Sequence, residues 1–119
     1  MTELERMVRA YSDAWNEPDR ERRLALLERC WEERGVFIDP RAVIGEREAL
    51  ADYMTSYREA YPGCRSELTT GVDEHHGRFR FGWQIVGPGD TPVTHGVEFG
   101  EVGPRGRIAW ITSFEGVPK

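Results

Sequence analysis

Apolar positions in the first half of the chain recur every three or four residues. Leu4, Met7, Val8, Tyr11 and Trp15 share one face of a predicted helix that ends near Asn16, with Thr2 and Glu5 as a capping box at its start. Asn16-Glu17-Pro18-Asp19 interrupts the pattern, and Asp19 is a suitable N-cap for a second helix with the stripe Leu24, Leu27 and Trp31. Gly35 is the expected stop of that helix. Val36-Phe37-Ile38 reads as a short strand, halted at Asp39-Pro40 because proline cannot donate to a sheet. A third helix is expected from about Glu46 to Tyr61, with Leu50, Tyr53, Met54 and Tyr57 inward and Pro62-Gly63 beyond its end.

From Arg65 onward the period changes to two. Phe79, Phe81, Trp83 and Ile85 alternate with Arg78, Arg80, Gly82 and Gln84, as in a strand with one apolar face. Turn signals at His76-Gly77, Gly87-Pro88-Gly89-Asp90 and Gly103-Pro104-Arg105-Gly106 divide this half into four strands, roughly 65–75, 78–86, 93–102 and 107–115. Gly82, Gly96 and Gly100 lie inside strands, where they permit strong bending. Helices first and strands second predict an α+β fold, and a bent antiparallel sheet wrapped on three helices encloses a cavity.

Composition adds constraints. A chain of 119 residues with 39% hydrophobic and 11% aromatic content can bury one core, so residues 1–119 are read as a single domain. Sixteen basic against twenty-one acidic residues give a net charge of −5, which argues against nucleic-acid or anionic-membrane partners. No apolar run approaches the length of a bilayer span, and the start Met1-Thr2-Glu3-Leu4-Glu5 does not resemble a signal peptide. Cys30 and Cys64 are expected to be free thiols, which fits a cytoplasmic location. The Arg20-Glu21-Arg22-Arg23 run reads as a solvated helix face.

Three residues stand out chemically. Asp39 ends a hydrophobic strand, where partial desolvation would raise its pKa towards that of a useful base; it also reads as an Asp-Pro turn initiator. Tyr11 lies on the apolar face of the first helix, where its hydroxyl could serve an oxyanion or simply bond a backbone carbonyl. Glu98 shares a strand face with Thr94, Gly96 and Gly100, opposite His95, Val97 and Phe99. Flanked by glycines it has room for a ligand, and burial would keep it neutral; the alternative is a solvent-facing acid. His75 and His76 point to opposite faces if on a strand, so no metal site is expected there, and His95 reads as packed or partly exposed. No Gly-x-Ser-x-Gly elbow, P-loop or dinucleotide fingerprint occurs, so no cofactor is expected.

The succession Tyr-x-x-x-Trp-Asn, Val-Phe-Ile-Asp-Pro, Gly-Glu-Arg-Glu-Ala-Leu, Gly-Arg-x-Arg-x-x-Trp, His-Gly-Val-Glu and Gly-Arg-Ile-Ala-Trp-Ile-Thr-Ser-Phe resembles the nuclear transport factor 2-like superfamily, especially its SnoaL-like members, over about positions 4 to 116. The resemblance implies a cone: three N-terminal helices on a curved antiparallel sheet enclosing a mainly apolar pocket. It implies activities as varied as isomerase, polyketide cyclase, hydrolase and dehydratase, as well as non-catalytic binding. Against ketosteroid isomerase, Tyr11 and Asn16 match the first-helix tyrosine and asparagine, Asp39-Pro40 the general base, and Glu98 the neutral oxyanion-hole acid, one methylene longer. The Asp-Arg-Asp set of the epoxide-hydrolase members has no counterpart at Gly96-Val97-Glu98-Phe99-Gly100.

The expectation is therefore a cofactor-independent enzyme acting on a small hydrophobic carbonyl compound. Asp39 would abstract a proton, and Tyr11 with neutral Glu98 would stabilise the enolate. Trp15, Phe37, Tyr53, Met54 and Tyr57 are expected wall residues, with Trp83, Trp110 and Phe114 from the sheet, although alternation does not say which sheet face meets the helices. The resemblance implies homodimerisation through the outer face. The alternative reading is a non-catalytic ligand-binding or dimerisation module of the same fold.

Overall fold

The computed structural model describes residues 1–118. The element order is α1 (Glu3–Asn16), α2 (Arg20–Cys30), β1 (Trp31–Asp39), β2 (Ala42–Ile44), α3 (Arg47–Ala60), β3 (Arg65–Leu68), β4 (Asp73–His75), β5 (Arg78–Val86), β6 (Pro92–Val102) and β7 (Ile108–Glu115), with a short 3-10 turn at Pro88–Asp90. The capping box holds α1 as expected: Glu5 N donates to Thr2 Oγ1 and Thr2 N to Glu5 Oε1. Asp19 caps α2 through the Arg22 backbone N–H.

The helices cover one face of a sheet ordered β2-β1-β7-β6-β5-β3, with β4 also paired to β5. This is the α+β cone. The sheet is mixed, however, because β1 and β7 run parallel while every other pair is antiparallel. A meander of neighbours in sequence cannot reveal that pairing, since β1 and β7 are joined by a crossover through α3 and the rest of the sheet.

Three local expectations change. Helix α2 stops at Cys30 and passes directly into β1, so Gly35 lies within a strand. A Cβ at Gly35 would fall 2.5 Å from Trp31 Nε1: the glycine makes room for the indole, and β1 bulges against β7 between Trp31 and Val36. The single strand expected over 65–75 is two, β3 and β4. Arg23, in the run read as solvated, is only 1% exposed. Its guanidinium donates to the carbonyls of Glu17 and Ala51 and to the Thr55 hydroxyl, tying the α1–α2 link to α3.

The core lies between helices and sheet. Val8, Ala14, Leu27, Trp31, Leu50, Met54, Ile108 and Ile111 are fully buried there. Each large side chain contributes roughly 1.5–3 kcal/mol by leaving water. Tyr11 stacks on Trp31 with ring centroids 5.6 Å apart, which fixes the phenol's direction towards the sheet.

Candidate active site

A cavity of about 510 Å³ opens between α1, α3 and the concave face of the sheet, a size that suits a small organic ligand. Its floor follows from strand register. Phe81 pairs with Glu98 and Glu98 with Ser113, while β1 runs beside β7 with Ile38 at Thr112, which brings Asp39 level with Ser113. Alternation along each strand turns these four side chains inward. Glu98, Ser113 and Asp39 thus form a polar row across three strands.

Tyr11 reaches this row from the helix layer. Its hydroxyl donates to Glu98 Oε1 at 2.9 Å, with both residues buried. Glu98 is 7% exposed, and burial pushes its carboxyl up to about 7, with the Asp39 charge adding to the rise and hydrogen bonds from Tyr11 and Ser113 restraining it. Burial, and next the Glu98 charge, raise the Tyr11 phenol well above its ordinary value, so it remains a donor. When Glu98 is ionised it absorbs the Tyr11 proton donor. When Glu98 is protonated, two O–H groups stand side by side at the cavity floor.

Asp39 is half-buried at the cavity wall. Its Oδ1 accepts from the backbone N–H groups of Arg41 (2.8 Å) and Ala42 (2.9 Å), and its Oδ2 from the Tyr53 hydroxyl at 2.5 Å. The first two bonds shape the Asp-Pro turn into β2; the third aims the other oxygen into the cavity side. Tyr53 is raised to about 12 by burial and by this bond.

The walls are aromatic. Trp15 sits at their centre, edge-on to Tyr57 (5.3 Å) and Tyr53 (6.3 Å) and tilted against Phe37 (5.6 Å). Trp83 lines the sheet side with its indole across Gly96, where a Cβ would approach Cζ2 to 2.7 Å. Tyr11, Trp15, Phe37, Asp39, Tyr53, Tyr57, Trp83 and Glu98 therefore share one cavity.

Met54, Trp110 and Phe114 do not line it. Met54 is wholly buried in the core behind the α3 wall. Trp110 and Phe114 are 41% and 58% exposed, because in β7 the inward set is Ile111, Ser113 and Glu115. Their outer face also carries Phe99, packed edge-on to Phe114 at 6.0 Å. His95 is exposed on the same strand face as Phe99, and His75 and His76 are exposed at the β4–β5 hairpin. Among the described residues no group of three His, Cys, Asp or Glu side chains is placed to hold a metal ion. Asn16 serves the frame: its amide clamps Ser66 of β3 through both N–H and C=O.

Sequence reasoning missed Ser113, Arg41 and Glu115, which also line the cavity. The Ile111/Ser113/Glu115 alternation signals an inward polar pair once the face is known. Nothing in the sequence marks Arg41, which reaches the site only through the turn after Pro40. Its guanidinium pairs with Glu115 at the cavity mouth.

No protein-family model matches the chain, and no curated protein does. Solved structures do. A SnoaL-like family protein from Agrobacterium tumefaciens, described as a candidate isomerase, is 29% identical, with a TM-score of 0.90 over 98% of this chain and 100% of that one. A protein of unknown function with a cystatin-like fold from Methylobium petroleophilum is 20% identical, with a TM-score of 0.79 over 98% and 78%. A candidate polyketide cyclase from Sinorhizobium meliloti is 18% identical, with a TM-score of 0.70 over 91% and 93%. The latter two support the fold alone.

Proposed function

We propose, for a chain that belongs by fold and full-length likeness to the SnoaL-like branch of the nuclear transport factor 2-like superfamily, a cofactor-independent enzyme acting on a small apolar carbonyl compound. The observation that carries the proposal is the buried Tyr11–Glu98 hydrogen bond at the cavity floor, in one row with the Asp39 carboxylate. A substrate carbonyl oxygen placed against Tyr11 and protonated Glu98 receives two hydrogen bonds. Asp39 removes a proton from the adjacent carbon; the C–H electron pair becomes the enolate double bond and the carbonyl π pair moves to oxygen. Returning the proton to another carbon gives isomerisation. Attack of the enolate carbon on a second carbonyl gives ring closure, with the new alkoxide taking a proton. Neither route needs an oxidant, a reductant or a metal.

The second reading is a binding module without turnover. It is favoured by Asp39 Oδ1, which is fully engaged by two backbone N–H groups, as in an ordinary turn. Two measurements separate the readings. Exchange of the hydrogens next to the carbonyl of cyclic enones is followed by proton NMR in D2O, and binding of a planar fluorescent phenol is titrated. The enzyme reading expects exchange that Asp39→Asn lowers by about 10²–10⁴-fold, together with phenol binding that Tyr11→Phe weakens and Asp39→Asn preserves or strengthens. Phenol binding with no exchange across a panel of enones leaves the binding module.

The outer face, with Phe99, Trp110 and Phe114 exposed, supports pairing with a second copy of the chain. Sedimentation at micromolar concentration is expected to give a dimer, and Phe99→Glu with Phe114→Glu a monomer. A monomeric wild type would remove this part of the proposal.

A further inference from the structure

Among the described residues the cavity is lined by three acids, Asp39, Glu98 and Glu115, and by a single base, Arg41. That base is already engaged. Its guanidinium donates to Glu115 and also feels the Asp39 charge, so its positive end is matched from two sides. The strand register sets Glu115 one inward position beyond Ser113, towards the mouth from the Tyr11–Glu98 floor. A ligand whose oxygen sits on that floor therefore extends its far end past the Arg41–Glu115 pair. Among the described residues it meets no free cation there, and aromatic faces line the remaining path.

We infer that Glu115 is a specificity-determining residue: by occupying Arg41 it makes the pocket select neutral or cationic ligands and reject those carrying a carboxylate at the end distal to the reacting oxygen. This rests on the reading that the ligand's oxygen meets Tyr11 and Glu98. Arg41 is 60% exposed and Glu115 32%, so water screens the pair and the discrimination is moderate. A unit charge about 7 Å from a like charge near a protein surface interacts by roughly 2.4 kcal/mol before salt screening, and screening at physiological ionic strength reduces this to roughly a fivefold to tenfold change in affinity.

The test uses three naphthols of one ring system, bearing hydrogen, aminomethyl or carboxylate at the position farthest from the hydroxyl, titrated by fluorescence at pH 6. In wild type the aminomethyl compound should bind at least as tightly as the unsubstituted naphthol, and the carboxylate about fivefold to tenfold more weakly. Glu115→Gln frees Arg41 and should tighten carboxylate binding several-fold while loosening the aminomethyl compound. Arg41→Gln retains the backbone bond to Asp39 and should leave the carboxylate weak. Carboxylate binding equal to or tighter than the parent naphthol in wild type overturns the inference, as does a carboxylate affinity that Glu115→Gln leaves unchanged. Failure of the underlying site looks different: the charge order persists but Tyr11→Phe binds all three naphthols like wild type. If none of the three binds, both are overturned.

Discussion

Glu98 and Asp39 stand in one row of one sheet with Ser113 between them, yet their surroundings differ in kind. Glu98 is at the floor, away from water, and the groups bonded to it are hydroxyls. Asp39 is at the wall, half-buried, with two backbone N–H groups and a phenol donating to it and Arg41 nearby. Identical chemistry is thus separated by solvation: the dry acid is driven towards its neutral, donating form, whereas the wall acid is surrounded by donors that match a carboxylate. An acid and a base can come from two carboxylates only when the fold keeps them this unlike.

Substitution at either end should expose the difference. The largest effect is expected at Asp39: Asp39→Asn should lower enone hydrogen exchange by about 10²–10⁴-fold, since the proton acceptor itself is lost. Tyr11→Phe removes one oxyanion donor and should lower exchange by about 10²–10³-fold while weakening phenol binding. Exchange rates by NMR rank the two, and a Tyr11→Phe protein as active as wild type would break the floor-and-wall division.

The floor acid should also control pH dependence. Its folded pKa of about 7 lies above its ordinary 4.5, so folding favours the protonated form. That stabilisation is fully present below about pH 4.5 and is lost as pH rises through 7, on the order of 2 kcal/mol between pH 5 and 8. Glu98→Gln cannot titrate and should flatten this slope in thermal or urea unfolding. Phenol binding by wild type is expected to weaken above pH 7 as Glu98 ionises, and Glu98→Gln should likewise flatten that dependence. The smallest effect belongs to Tyr53→Phe, which removes one donor from a half-exposed carboxylate. It should cost about 0.5–1.5 kcal/mol of stability and less than tenfold in exchange, sharpening the contrast with Tyr11→Phe.

The elements that could be read from the sequence were those whose local pattern and tertiary role agree. The capping box and stripe of α1 put Tyr11 inward, and the glycines around Glu98 marked its strand, although the rings of Trp83 and Phe79 fill the space beside Gly96 and Gly100 that the sequence left open for a ligand. Asp39-Pro40 marked the end of β1 from its backbone chemistry alone. What stayed illegible depends on contacts between distant segments. Period-two alternation divides β7 into two sets, but only the position of the helices decides that Ser113 faces the cavity and Trp110 and Phe114 do not. Met54 shares the inner face of α3 with Tyr53 and Tyr57, yet its place in the helix buries it in the core. Arg23 looks like its charged neighbours until the carbonyls of Glu17 and Ala51 are brought to it. Gly35 resembles a helix stop because the sequence does not reveal that an indole will lie over it.

The parallel partner of β1 is the last strand in chain order, and that strand occupies the interior of the sheet, between β1 and β6. During synthesis, therefore, a nascent chain that has emerged only as far as β6 has two sheet fragments with a gap at their centre. The edge of β6 is then unpaired, with Phe99 on it. Arrival of β7 joins the fragments, supplies Ser113 between the two acids, and places Glu115 at the mouth in a single event. Assembly of the site is thus coupled to a long-range closure, which places the slow step of folding late and makes truncations within β7 prone to aggregation, not merely inactive.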